Sequence, residues 1–164
     1  MEWLAGELLI DDLDSFLETI DDVATRHGTT IQAFDARYVA GSEHLERAVA
    51  AAERAIETDD AIARDPAVEV LCYAAGRRQI DRALEMGIDE GTQPAVIVTF
   101  GGDESGAIDS LEERLDITPM PVLEDVDEDR LMDFFDVTPT EREATDASLE
   151  ALVCERVALL VVEK

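Results

Sequence analysis

Lysine is nearly absent from this chain: Lys164 stands alone among 13 basic residues, and the other 12 are arginines. Asp and Glu number 40, so the formal net charge at pH 7 is −27. A charge of this sign usually argues against nucleic-acid binding. However, 46% of the residues are hydrophobic, as in ordinary folded proteins, and the acids are spread along the chain. We therefore interpret the acidity as a property of a cytosol at molar salt, where the Debye length shortens to roughly 3 Å.

Cysteine and long apolar runs are also scarce. Cys72 and Cys154 lie among apolar residues, without CxxC spacing or paired histidines, which predicts two buried free thiols and no metal site. No apolar run approaches the ~18 residues of a membrane span, and the first residues lack the basic and apolar regions of a signal peptide. We therefore expect a cytoplasmic protein that makes no membrane contact.

Catalytic motifs are missing as well, since the chain has no GxSxG, HExxH or DxDxDG sequence. Its two histidines are predicted at helix ends, with His27 as a C-terminal cap and His44 facing solvent. Gly101-Gly102 follows a strong strand, but no phosphate-binding lysine is present and the next helix opens with two acids, which would repel a phosphate. We therefore predict no catalytic residue, no cofactor and no metal. A small intracellular enzyme of unknown reaction, using Asp and Arg groups in a cleft near Gly101, is the alternative.

Apolar residues recur at helical spacing in several segments, and other segments are short runs rich in strand formers. The patterns predict strands near residues 2–10, 29–38, 95–100 and 157–162, separated by helices that often come in pairs. We predict an α/β protein of the mixed α+β kind, a single domain over residues 1–164 with one mixed central sheet covered by helices.

One stretch departs from the acidic background. Residues 64–82 carry four arginines against three acids, a balance of +1, whereas the flanks carry −11 and −17. Asp65-Pro66 is a typical helix start, and the mostly apolar Ala67–Ala75 predicts a buried helix that Gly76 ends. A short second helix is predicted over residues 78–86, with its apolar side chains turned inward.

The arginines after this glycine are the candidate binding site. Arg77 and Arg78 lie at a predicted helix N-terminus, where two guanidinium forks suit a phosphate or a carboxylate and can stack on bases. The alternative is that Arg77 pairs with Asp81, and Arg82 with Glu85, as ordinary surface ion pairs.

Two adjoining segments resemble a known family. The stretch IQAFDARYVAGSEHLERAVAAAERA, followed by ARDPAVEVLCYAAGRRQIDRALEMGI, is similar to the archaeal form of the TPRKB family from about Ile31 to Ile88. The final ERVALLVVEK fits the last strand of that family. TPRKB proteins are the small non-catalytic subunit of the KEOPS complex, which installs threonylcarbamoyl on the adenosine beside the anticodon of tRNAs.

The resemblance implies a binding protein without catalysis or cofactor. It would dock on the kinase-like ATPase subunit of KEOPS and help to recruit tRNA through its 3′ CCA end. Carried over on the motif AAGRRQIDRAL, the implied RNA contacts are Arg77, Arg78, Gln79 and Arg82. A purely structural adaptor that does not contact RNA is a further alternative. Arginine supplies the bidentate and stacking contacts that RNA binding needs at high salt, where counterion release drives binding less.

Overall fold

The computed structural model describes residues 1–163. In chain order the elements are β1 (Glu2–Ile10), α1 (Leu13–His27), β2 (Thr30–Asp35), α2 (Ser42–Glu57), α3 (Pro66–Ala75), α4 (Ile80–Ala83), β3 (Gly91–Phe100), α5 (Glu104–Arg114), β4 (Ile117–Pro119), α6 (Glu128–Phe134), α7 (Pro139–Glu143) and α8 (Leu149–Glu163). Short 3-10 turns follow β2 at Ala36–Tyr38 and α4 at Leu84–Met86. The mixed α+β class with one sheet is confirmed.

The sheet has the strand order β2-β3-β1-β4, and all of its pairings are antiparallel. The predicted mixture of parallel and antiparallel strands is therefore wrong. Helices between the strands suggested crossover connections, which join parallel neighbours. The chain instead returns so that each strand pairs with one running the opposite way. The strand predicted to be central, β3, does lie in the interior of the sheet.

The chain forms two compact units, and the first comprises residues 1–36 and 87–122. It contains the sheet, α1 and α5. One sheet face packs against these two helices, and its core consists of Leu4, Leu8, Ile10, Ile31, Ala33, Ala95 and Ile97 from the strands, with Phe16, Ile20, Val23, Ala107 and Leu111 from the helices. As predicted, α1 ends at His27, and Gly28 caps it in the left-handed conformation.

The second unit comprises residues 37–86 and the chain from residue 123 onward. It is helical, and α2 packs against both α3 and α8. The alanines of α2 at positions 48, 52 and 55 are almost fully buried, because small side chains allow close helix packing. The single-domain organisation of residues 1–164 stays a prediction.

The C-terminal segment is a helix, so the predicted strand at residues 157–162 is wrong. Those residues lie within α8, Leu149–Glu163. A short apolar run rich in valine is compatible with a buried strand or with a helix, and periodicity alone does not separate the two. None of the helices described over residues 1–163 is long and apolar enough to cross a membrane.

Candidate functional site

Helix α3 is the scaffold of the predicted arginine site. Its start follows the predicted pattern: the Asp65 carboxylate accepts the Ala67 N–H at 2.8 Å, and proline occupies the first turn. From Glu69 to Ala75 every residue is buried. Gly76 then caps the helix with φ of +63°. The arginines therefore begin where a buried helix ends.

Arg77 turns inward, and its side chain is only 20% exposed. Its Nη2 donates to the carbonyl oxygen of Phe134 and lies 3.7 Å from the Asp136 carboxylate. Its guanidinium carbon lies 4.9 Å from the centre of the Phe134 ring, within cation–π range. The partner suggested by sequence, Asp81, is not the one the structure gives. Arg77 therefore holds the turn that ends α6.

Arg78 and Gln79 point outward and line a groove together. The groove has a volume of about 410 Å³, and its other wall is the loop at Asp60, Ala61 and Ile62. Within residues 1–163, the Arg78 side chain has no hydrogen bond or ion pair. A free guanidinium and an amide thus share an open groove with two apolar loop residues and one acid, Asp60.

Arg82 lies apart from these two residues. Its Nη1 is 3.4 Å from the Glu85 carboxylate, so the predicted surface pair is confirmed. It lines a second groove of about 550 Å³, whose remaining lining residues are Tyr38, Glu85, Asp127, Asp129, Arg130, Asp133 and Phe134. The acids make this second groove a poor place for a phosphate. The structure thus groups Arg78 with Gln79 and separates both from Arg82.

The short helix α4 differs from its prediction. Ile80 and Leu84 were expected to face inward, but they are 40% and 53% exposed. The α-helix is only four residues long and continues as a 3-10 turn. With three residues per turn, positions i and i+3 share a face, and Ala83 and Met86 are the buried pair.

Glu69 is a residue whose role sequence reasoning missed. Its side chain is fully buried. Its Oε1 accepts the Ile62 N–H at 3.0 Å and its Oε2 accepts the Ala63 N–H at 2.6 Å. The detectable signal was an acid within an otherwise apolar helix, since a charge there needs partners when buried. Glu69 ties the groove loop to α3.

His44 is also fully buried, so its predicted solvent exposure is wrong. Its Nε2 donates to the Ala74 carbonyl oxygen at 2.7 Å, because that oxygen can only accept, and its Nδ1 accepts the Ala40 N–H at 3.1 Å. Burial lowers the pKa of His44 to about 4, against a smaller opposing effect of the Ala74 carbonyl. A neutral histidine therefore joins α2 to the end of α3.

The glycine pair after β3 allows the backbone there to pack closely against the end of α1. A Cβ on Gly102 would lie 2.2 Å from the carbonyl oxygen of Gly28. His27 contacts the Asp103 carboxylate at 3.1 Å and the Ser110 hydroxyl at 2.9 Å. The Gly106 N–H, and secondarily His27, hold the pKa of Asp103 below its usual value. Gly102 therefore meets a steric requirement of the turn, without any need for a phosphate.

No group of three or more His, Cys, Asp or Glu side chains that could hold a metal ion occurs within residues 1–163. Both cysteines are buried and free, as predicted. Burial raises the pKa of each thiol to about 11, which makes a thiolate nucleophile unfavourable at neutral pH.

An apolar groove runs along α2 and α8. Its volume is about 320 Å³, and Arg47 and Arg54 stand at its edge. The remaining lining residues are Ala50, Ala51, Cys154, Val157, Ala158 and Val161. Leu159 and Val162 are also exposed on α8. Helix α8 is apolar on most sides, but its neighbours cover only part of it. It therefore leaves apolar side chains exposed to solvent, which is typical of a surface that binds a partner.

Comparison with known proteins identifies the family of this chain. The family model described as "Kinase binding protein CGI-121" matches residues 14–160, which is most of the chain. No curated protein matches the sequence. The family match confirms the resemblance to the TPRKB family that the AAGRRQIDRAL segment indicated. The chain therefore belongs to the kinase binding protein CGI-121 family.

Proposed function

We propose that the protein is a non-catalytic accessory subunit of the KEOPS complex, which makes threonylcarbamoyladenosine in tRNA. In this role it binds the kinase-like ATPase subunit and helps to recruit tRNA through the 3′ CCA end. Membership in a family of kinase binding proteins supports the first activity. The observation that carries the second is the unpaired Arg78 beside Gln79 at an open groove.

The kinase-like subunit docks on the apolar groove of α2 and α8. Val161 lines this groove on α8 and is 39% exposed, although contact with water is unfavourable for its apolar side chain. Arg54 lines the groove in a chain of net charge −27, and it favours a partner whose apolar side chains are flanked by acids, whereas Arg47 is already bonded to Glu43. Membership in a family of kinase binding proteins supports a kinase-like protein as the partner that binds this groove.

The RNA end enters the groove formed by Arg78, Gln79 and the loop at Ile62. The Arg78 guanidinium can hold a phosphate oxygen through two N–H groups, and the Gln79 amide can read a base edge. The apolar Ile62 side chain offers a face on which a base can pack. These are short-range contacts, which persist at molar salt better than binding driven by counterion release.

Binding of tRNA at molar KCl tests the RNA role. Arg78→Glu should weaken binding at least about tenfold, because it removes one charge-assisted contact and adds a repulsion. Removal of the 3′ CCA from the tRNA should have a similar effect on the wild type and little further effect on Arg78→Glu. Arg54→Glu makes the same charge change at the apolar groove of α2 and α8, and it should leave tRNA binding unchanged. Equal binding by wild type and Arg78→Glu would remove the proposed site.

Pull-down with the purified kinase-like subunit tests the other activity. Val161→Asp should abolish or strongly weaken capture, because it places a charge in the apolar contact. Ile56 is exposed to the same degree, 39%, and lies outside the residues that line the groove, so Ile56→Asp is the matched control and should be captured normally. Retained kinase capture without any tRNA binding would favour the structural-adaptor alternative.

A further inference from the structure

We propose that Glu69 is a positioning residue for tRNA binding, which acts by holding the loop opposite Arg78 and Gln79 at a fixed distance. This inference rests on the proposed RNA role. It concerns a side chain that is fully buried and therefore contacts no RNA itself. Its effect would pass through the backbone of Ile62 and Ala63, whose N–H groups it accepts.

The buried Glu69 carboxylate receives its hydrogen bonds from the backbone of the loop. Each of its oxygens accepts one backbone N–H, at 3.0 Å from Ile62 and 2.6 Å from Ala63. Within residues 1–163 no arginine or histidine forms an ion pair with it. If the loop moved away, an uncompensated charge would be left in the interior, which is strongly unfavourable. The loop is therefore held by the cost of uncovering Glu69 as well as by the two bonds.

Helix α3 is connected to both sides of the groove: Glu69 bonds the loop, and Arg78 follows the end of the helix. Glu69 lies in the first turn of α3, and Arg78 follows two residues after the cap of that helix at Gly76. Ala61 and Ile62 of the loop line the same groove as Arg78. Because α3 is buried and continuous between these points, Glu69 sets the loop in register with the exposed guanidinium.

The other end of the loop is held independently. The Asp60 N–H donates to the Ala55 carbonyl oxygen at 2.8 Å, at the end of α2. Asp59 just before it has φ of +57°, a left-handed conformation that is rare for residues other than glycine. The lining segment between Asp60 and Ala63 is thus fastened at both ends, and release of the Glu69 end would free it to move.

Glu69→Gln is the decisive variant, since it keeps the side-chain shape but removes the charge and one of the two acceptors. We expect faster amide hydrogen exchange at Ile62 and Ala63 and a dissociation constant for tRNA raised about tenfold. Capture by the kinase-like subunit should stay unchanged. Asp65→Ala removes the side-chain cap of the same helix without touching either loop bond, and it should leave tRNA affinity within about twofold.

The outcomes separate this inference from the function on which it rests. Faster exchange with unchanged tRNA affinity would overturn the positioning role, and so would reduced affinity without faster exchange. Unchanged tRNA affinity in both Glu69→Gln and Arg78→Glu would instead overturn the RNA role itself. If Glu69→Gln does not fold, Ala63→Pro takes its place, because it deletes one donor and leaves the carboxylate intact. Exchange is then followed at Ile62 alone, since proline has no amide hydrogen, together with tRNA affinity and kinase capture.

Discussion

At the residue scale, Gly76 is constrained twice, by its conformation and by its neighbour. Its φ of +63° favours glycine, and a Cβ there would lie 3.1 Å from the Cβ of Arg156 and 3.2 Å from its carbonyl oxygen. Gly28 has nearly the same φ, +62°, but a Cβ there would meet nothing within 4 Å. Alanine at Gly28 would therefore meet only the cost of the left-handed conformation, whereas alanine at Gly76 would also meet steric crowding by α8.

We expect Gly28→Ala to lower the free energy of unfolding by roughly 1 kcal/mol, the cost of a left-handed alanine. Gly76→Ala should cost more, about 2–3 kcal/mol, because the backbone of α8 must also shift. Urea unfolding of both variants measures the difference. Equal losses would show that α8 yields at Arg156 without cost.

The buried His44 makes stability depend on acid. The ordinary pKa of histidine, 6.5, falls to about 4 in the folded protein because burial disfavours the charged ring. Below pH 6.5 the unfolded chain binds a proton that the folded protein does not bind until about pH 4. Stability should therefore decrease across this window as pH falls, by roughly 3 kcal/mol in total.

His44→Gln tests this dependence, since an amide can donate to Ala74 and accept from Ala40 without titrating. Wild type should lose stability relative to the variant between pH 6.5 and 4, as measured by urea unfolding across the range. Carboxylates with lowered pKa, such as Asp22 and Glu141, also cost stability in acid, but they are common to both proteins and cancel in the comparison. Parallel profiles would contradict the role of His44.

Local signals and tertiary signals differ in what they allow sequence to predict. The cap at Asp65, the stop at Gly76 and the Arg82–Glu85 pair depend on neighbours within a few residues, and all three were predicted. His44 and Glu69 are satisfied by backbone groups that only the folded chain brings together. Their burial could be suspected from apolar surroundings, but their partners could not be derived.

At the element scale, two arginines organise the connection from α6 to α8. Arg77 contacts the end of α6, and Arg156 on α8 donates to the carbonyl oxygens of Phe135 and Asp136 at 3.1 and 3.3 Å. The Arg156 guanidinium also makes two bonds of 2.8 Å to the Glu141 carboxylate. One planar group thus joins three segments, which lysine with its single ammonium cannot reproduce.

Arg156→Lys should therefore lower the free energy of unfolding by about 2 kcal/mol, because carbonyl oxygens at the end of α6 lose their donors. Arg47→Lys is the matched control. Within residues 1–163 the Arg47 side chain bonds Glu43, one turn away, and both side chains are more than half exposed. That change should be worth a few tenths of a kcal/mol at most. Similar losses from both variants, measured by thermal unfolding, would show that the α6–α8 connection does not depend on the fork.

The elements were predicted unevenly, for a physical reason. Helices with one apolar face, such as α1 and α2, carry a periodic signal along their whole length, and α1 was found with its cap. Helix α8 is apolar on most faces, so its VALLVV segment has no helical period to read. Strand direction was missed because it depends on how the chain returns, which no local pattern encodes.

At the scale of the whole molecule, the excess of acid is the dominant property. Forty acids against 13 basic residues give a surface that repels itself, and repulsion acts against the compact state. Many of the ion pairs that could offset it join exposed side chains, for example Arg26–Asp22 and Arg47–Glu43. Such pairs contribute little each. Screening by salt is therefore the remaining means of reducing the repulsion.

We expect stability to rise steeply between 0.1 and 2 M KCl, because the Debye length falls from about 10 Å at 0.1 M to about 3 Å at 1 M. Thermal unfolding across this range measures the effect. Sucrose is the control, since it favours burial without screening charge and should stabilise far less. A variant with eight exposed acids changed to Asn or Gln should need less salt and show a flatter dependence. If wild type is fully stable in dilute buffer, or if the neutralised variant keeps the full salt response, charge repulsion is not what salt relieves, and the acidity needs another explanation.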